Sequence, residues 1–211
     1  MKKTSYKNQA QFNLPKRPLF IVLSSPSGAG KDAILNRMKE LDYPLKYITT
    51  VTTRPQRATE RDDVDYHFVS RERFQEMISN NELLERANVY GSWYGVPKQP
   101  VEQALSRGQD AIVKVDIQGA STIKKILPQA ILIFLIPPSM EELVVRLKQR
   151  HTEQPSDLAL RIKTAEEEIK QLPLFDYVVV SQRDKVDLAV SDIKAIITAE
   201  KCPVTPCEIT L

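Results

Sequence analysis

The chain has 211 residues, a formal net charge of +3, 42% hydrophobic and 27% charged residues, and two cysteines. A chain of this length can bury roughly 70% of its unfolded surface, so it needs no disulfide or structural metal, and one or two domains are expected. The longest apolar run, Ala130–Pro138, is far short of the roughly 20 residues of a spanning helix, and the first residues lack the apolar stretch of a signal peptide. A cytoplasmic protein with no membrane partner is expected.

Residues 1–17 hold Lys2, Lys3, Lys7, Lys16 and Arg17 and no acid. The whole chain's +3 less this leader's +5 leaves −2 for the rest, so the pI of 8.8 belongs to a polar leader, expected to be disordered. A folded basic surface is not implied, and no nucleic-acid partner is expected. Cys202 and Cys207 lie beside Pro203 and Pro206 in a flexible tail over 201–211, with no histidine near. A lone Cys-x4-Cys is poor evidence for zinc.

In chain order, Leu19–Ser24 (LFIVLS) is an apolar run bounded by turn residues, as in a buried parallel strand. Ser25–Gly30 is rich in Gly, Ser and Pro, and Lys31–Leu41 places Ala33, Ile34, Met38 and Leu41 at helical spacing. Residues 49–99 are more polar, with a β-like piece at Asp65–Val69, a helix Arg71–Asn80 capped by Ser70, and no clear period over Tyr90–Gly95. They are expected to form an insert. The α/β rhythm then resumes: helix Val101–Arg107 stopped at Gly108, strand Ala111–Asp116, helix Ser121–Leu127 and strand Ala130–Ile136. A helix capped by Ser139 runs through Lys148, and a polar break at His151–Asp157 precedes a helix over Leu158–Leu172. Strand Tyr177–Val180 and helix Asp187–Glu200 close the series. Alternating strands and helices predict a parallel sheet covered on both faces.

The loop Ser25-Pro26-Ser27-Gly28-Ala29-Gly30-Lys31-Asp32 nearly matches G-x-x-x-x-G-K-[ST]. Glycines let backbone N–H groups crowd around phosphate oxygens, and the lysine reaches the β and γ phosphates. Two positions depart: Ser25 replaces the first glycine, and Asp32 replaces the hydroxyl that holds magnesium.

With this loop, the chain from about Leu19 to Lys201 resembles the guanylate kinases. The resemblance is carried by Pro26–Lys31 (PSGAGK), Thr52–Arg57 (TTRPQR), Asp65–Ser70 (DYHFVS) and Asn81–Glu85 (NELLE). It continues in Tyr94–Gly95, Val115–Gly119 (VDIQG), Ile136–Ser139 (IPPS) and Arg146–Thr152 (RLKQRHT). It implies an α/β P-loop NTPase-like fold whose parallel sheet core (18–48, 100–143 and 166–200) carries a small mixed GMP-binding insert (49–99) and a helical lid (144–165). It implies γ-phosphoryl transfer from ATP to GMP with Mg2+ as cofactor, ATP and GMP being the partners. Monomer and homo-oligomer are both left open.

The resemblance assigns ATP to residues 25–32 and catalysis to Lys31, Arg54, Arg146, Arg150 and Arg161. It assigns GMP to Thr50, Arg54, Arg57, Tyr66, Glu85, Tyr94 and Asp116. The chemistry suits these types: two arginines can fork around a phosphate, and a carboxylate can accept from guanine N1–H and the 2-amino group, a donor pair that adenine lacks. Val96 stands where the family has Ser or Thr, His151 where it prefers glycine, and Ser181 where it has an asparagine near adenine. The family strand reads Asp-x-Asp where this chain has Lys114-Val115-Asp116, while Asp32 adds an acid in the phosphate loop. An Asp32–Lys114 ion pair is therefore expected, with Asp32 as the candidate metal ligand. The alternative is an inactive guanylate-kinase-like binding domain, against which the intact set of arginines, Tyr66 and Glu85 argues. His67 and His151 are the only histidines, and neither forms a nucleophile–base arrangement, so no general base is expected.

Overall fold

A computed structural model describes residues 17–89, 91–148 and 155–202. Its core is a five-stranded, wholly parallel sheet in the order β2-β7-β1-β8-β9. These strands are β1 (Phe20–Ser24), β2 (Lys46–Ile48), β7 (Ala111–Lys114), β8 (Ile131–Ile136) and β9 (Tyr177–Val180). β1 lies in the middle, and every one of its residues is buried. Successive side chains of a strand point to opposite faces. Leu19, Ile21 and Leu23 accordingly pack with Ile34 and Met38 of α1 (Lys31–Glu40) and with Val190 and Ile193 of α7 (Val186–Glu200). Phe20 and Val22 pack with Val101 and Ala104 of α3 (Lys98–Ser106) and with Ala120 and Ile123 of α4 (Ile117–Ile126). Each such side chain contributes about 1.5–3 kcal/mol when fully buried.

All four strands of a second, mixed sheet fall within the expected insert: β3 (Val51–Thr52), β4 (His67–Phe68), β5 (Leu83–Val89) and β6 (Ser92–Pro97), ordered β4-β3-β6-β5. Their apolar face rests on α2 (Arg71–Ser79), where Phe74 stacks on Trp93 with ring centroids 5.9 Å apart. Ser70 caps α2 by accepting from the Arg73 N–H, as its sequence position predicts. Here the structure corrects the reading of Tyr90–Gly95 as aperiodic. Ser92–Pro97 is an antiparallel partner of β5, and its period is hidden because Ser92, Trp93 and Tyr94 are all half-buried and Gly95 and Val96 are both buried, with no alternation between faces. The third piece is α5 (Met140–Lys148) with α6 (Pro155–Ile169), joined through Leu143, Leu147 and Ala165.

Two further boundaries move. β7 ends at Lys114 because the Asp116 side chain accepts from Gly119 N–H at 2.9 Å and caps α4, which starts at Ile117 instead of Ser121. Lys114 and Asp116 are thus not two steps along one strand. Arg17, read as the end of the leader, is docked on the core through the Glu200 carbonyl at 3.2 Å. Lys201, read as tail, donates to the Arg17 carbonyl and to Asp110. The rest of the leader and residues 203–211 of the tail lie outside the described residues, and so do Arg150 and His151. Among the described residues no helix is long and apolar enough to cross a membrane.

Candidate active site

A cleft of about 270 Å³ opens at the carboxyl ends of β1 and β7, bounded by both sheets and by α6. This is where ligands settle in open parallel sheets, beside the strand at which the order reverses. The cleft brings together Ser25, Ser27, Gly28, Gly30, Lys31 and Asp32 with Thr50, Arg54, Arg57, Tyr66, Glu85, Tyr94, Asp116 and Arg161. Pro26 and Ala29 belong to the same loop without lining the cleft, and Ala29 is fully buried. Arg146 stands behind the loop. Its guanidinium holds the Ala29 carbonyl at 3.2 Å and the Ser181 carbonyl at 2.8 Å, so it braces the cradle from outside.

At the donor end, Gly28 and Gly30 have φ of 92° and 99°, a region that side-chain-bearing residues rarely adopt. A Cβ on Gly28 would also lie 3.1 Å from Leu147 of α5. Gly30 begins α1, whose positive end therefore faces the cleft. The Lys31 ammonium donates to the Ser25 hydroxyl at 2.8 Å, which gives the serine that replaces the usual glycine a task. Burial holds the Lys31 pKa below its ordinary value.

At the acceptor end, Arg54 Nε donates to the Tyr94 hydroxyl at 3.2 Å, and its guanidinium lies 5.5 Å from the Tyr66 ring. Glu60 closes this cluster, which sequence reasoning missed. Its carboxylate accepts from Arg54 Nη2 at 2.8 and 3.0 Å and from the Arg57 backbone N–H at 2.9 Å. The two hydrogen bonds from Arg54 and the Arg57 contact show an anion already held where two arginines converge. The spacing from Arg57 to Glu60 was the available signal.

Between the ends, Glu85 is 4% exposed and its Oε1 has no hydrogen-bond partner. Burial, with the nearby Asp116 charge, pushes its pKa up to about 8. Leaving such an acceptor unmatched costs about 1–3 kcal/mol or more. Thr50 Oγ1 is likewise buried without a partner. Gly119 makes room, because a Cβ there would lie 2.9 Å from Glu85 Oε1. Val96 faces Glu85 in the β5–β6 ladder, and its fully buried aliphatic side chain has no atom that could make a hydrogen bond.

The expected Asp32–Lys114 pair is present, with Nζ 2.5 Å from Oδ1. Sequence reasoning did not find Glu168. That residue lines the cleft near Lys31 and the Ser27 N–H of the phosphate loop, burial raises its pKa, and its Oε2 is buried without a hydrogen-bond partner. Arg161, Ala165 and Glu168 fall at i, i+4 and i+7 on α6, one helical face, which was the signal to follow.

A family model described as guanylate kinase matches residues 17–200. Guanylate kinase 2, chloroplastic/mitochondrial, of Oryza sativa subsp. japonica is 44% identical over 191 residues, covering 90% of this chain and 67% of its own. The guanylate kinase of Carboxydothermus hydrogenoformans is 42% identical, covering 87% of this chain and 89% of its own. The crystal structure of guanylate kinase from Anaplasma phagocytophilum superposes with a TM-score of 0.75 at 32% identity, covering 90% of each chain.

Proposed function

The chain belongs to the guanylate kinase family, and from that premise we propose how its cleft divides the work of the family's reaction. It is an ATP:GMP phosphotransferase, moving the γ-phosphoryl group of ATP to GMP and leaving ADP and GDP. One observation carries the assignment of the base: the buried Glu85 carboxyl with its unmatched Oε1. Guanine offers N1–H and an amino group to such an acceptor, whereas adenine would leave it unmatched. Thr50, beside it, supplies a second polar contact, and Asp116 completes the pocket floor.

Arg54, Arg57, Tyr66 and Tyr94 take the GMP phosphate, and the Glu60 carboxylate is the anion that it replaces on Arg54. Residues 25–32 hold ATP, with Lys31 turning from the Ser25 hydroxyl to the β and γ phosphates. A non-bridging oxygen of the GMP phosphate attacks the γ-phosphorus as its bond to the ADP oxygen breaks. That oxygen is already anionic, so no side chain need remove a proton. Arg161, with Arg150, stabilises the charge on the group in flight, since this chemistry depends on positioning and cations more than on covalent help. Arg146, expected from the sequence to share that task, instead holds the phosphate loop from behind through the Ala29 and Ser181 carbonyls.

Asp32 fits magnesium as a hard oxygen ligand exposed at the mouth of the cleft, with its side chain 60% accessible. Among the described residues no cluster of three metal-ligating side chains occurs, so the phosphates would provide most other ligands. Bound there, the ion would neutralise charge on the β and γ phosphates. The reading includes dGMP as a second acceptor and a cytoplasmic location for the enzyme. ADP formation measured with GMP, dGMP, AMP and UMP in turn tests it. Turnover with the two guanine acceptors alone is expected, and equal turnover with AMP would overturn the role of Glu85.

A further inference from the structure

Lys114 ends β7 with its ammonium at the seam between the donor and acceptor ends of the cleft. On the donor side it donates to Asp32 in the first turn of α1. On the acceptor side its Nζ lies 4.1 Å from the centroid of the Tyr66 ring. The same ring has the Arg54 guanidinium 5.5 Å away and meets the Tyr94 ring edge-on at 6.0 Å. Lysine and arginine thus converge on one aromatic side chain in the cluster assigned to the acceptor phosphate.

The burial of the pair is lopsided. The Lys114 side chain is 11% accessible and that of Asp32 60%. A carboxylate open to water holds an ammonium weakly. The ammonium itself, largely stripped of water, gains more from any further anion that enters beside it. A strut would bury both partners. This arrangement instead keeps a desolvated cation beside the acceptor pocket, with a partner from which it can be drawn away.

We infer that Lys114 is a phosphate-binding residue of the acceptor site, held by Asp32 until the GMP phosphate arrives. The inference rests on the reading of Arg54, Tyr66 and Tyr94 as the cradle of that phosphate. Asp32 competes with the incoming phosphate for the same ammonium. Removing the lysine therefore weakens GMP, and neutralising the aspartate strengthens it. Neither change touches the guanine contacts, so guanosine, which lacks the phosphate, is indifferent to both.

The test is titration calorimetry on the full chain without ATP or metal, using GMP and guanosine as separate probes. Lys114→Ala is expected to weaken GMP ten- to hundredfold, the range for a lost charge-assisted hydrogen bond, and to leave guanosine unchanged. Asp32→Asn is expected to tighten GMP a few-fold, again with guanosine unchanged. The slope of GMP affinity against salt should be shallower in Lys114→Ala. GMP affinity within twofold of wild type in Lys114→Ala, or a parallel loss of GMP and guanosine, would overturn the inference. Should Lys114→Ala fail to fold, Asp32→Asn decides alone: tighter GMP supports the inference, and unchanged or weaker GMP overturns it. Wild-type protein that binds no GMP would overturn the acceptor-site reading and this inference with it, whereas wild-type binding that ignores both substitutions overturns the inference only.

Discussion

Gly119 gives way to Glu85: the helix that Asp116 caps passes so close to β5 that a methyl group on residue 119 would sit 2.9 Å from Oε1 and 3.1 Å from Asp116 Oδ1. Gly119→Ala should therefore displace the Glu85 carboxyl rather than unfold the protein. Alanine favours a helix by about 1 kcal/mol over glycine, which offsets the crowding. We expect a near-unchanged melting temperature, a KM for GMP raised about tenfold, and a KM for ATP unchanged. A large fall in stability with GMP binding intact would contradict the tight approach.

The raised pKa of Glu85 makes guanine binding a proton-releasing event. At pH 7 a carboxyl with a pKa of about 8 is mostly protonated in the free protein. Accepting two N–H groups from guanine favours the ionised form, so binding expels most of one proton. Calorimetry in two buffers of different ionisation enthalpy measures that number directly, and Glu85→Gln should abolish it.

Stability carries the same signature. The carboxyl titrates higher in the folded than in the unfolded chain, so its contribution is fully present below pH 4.5 and is lost as the pH rises through about 8. Glu85→Gln should melt above wild type at pH 8–9, with the difference shrinking towards pH 5. A constant difference across that range would rule out burial of the charge as the cause.

Arg54 makes hydrogen bonds to Tyr94, Pro55 and Glu60 from a planar fork. Lysine keeps the charge and loses the fork, at a cost of about 2 kcal/mol for charge-assisted bonds. Arg54→Lys is expected to raise the KM for GMP roughly thirtyfold, with adenine-nucleotide binding unaffected.

Glu168 places a buried carboxyl beside the Ser27 backbone N–H, a group that a phosphate needs. Glu168→Gln removes the competing charge while keeping the shape. Its affinity for ADP should rise several-fold, and its affinity for GMP should stay as it is. Equal affinities for ADP would show that the carboxyl does not compete.

Much of the architecture is legible before any coordinates. The Leu19–Ser24 run announces a central strand because a strand buried on both faces has no polar side to show, and the glycine spacing announces the loop that follows. The β5–β6 hairpin stays hidden because successive residues of β6 are half-buried together or buried together, so the alternation on which strand recognition depends is missing. Asp116 reads as strand because an N-cap is extended in backbone and differs only in where its side chain bonds. In the site, Lys31, Arg54, Arg57 and Asp32 follow from the motifs that contain them. The two carboxylates that meet the phosphate-binding groups, Glu60 and Glu168, lie in charged stretches where composition alone cannot separate a buried acid from a solvated one.

The bond from Lys201 Nζ to the Arg17 carbonyl, 2.7 Å long, makes neighbours of two residues 184 positions apart. Entry to and exit from the domain therefore lie side by side. A short peptide could join them and the backbone be reopened at Gly108, a turn with φ of 70° and open space around it. Such a rewired chain would keep both sheets and the cleft between them, since neither the phosphate loop nor the insert would be cut.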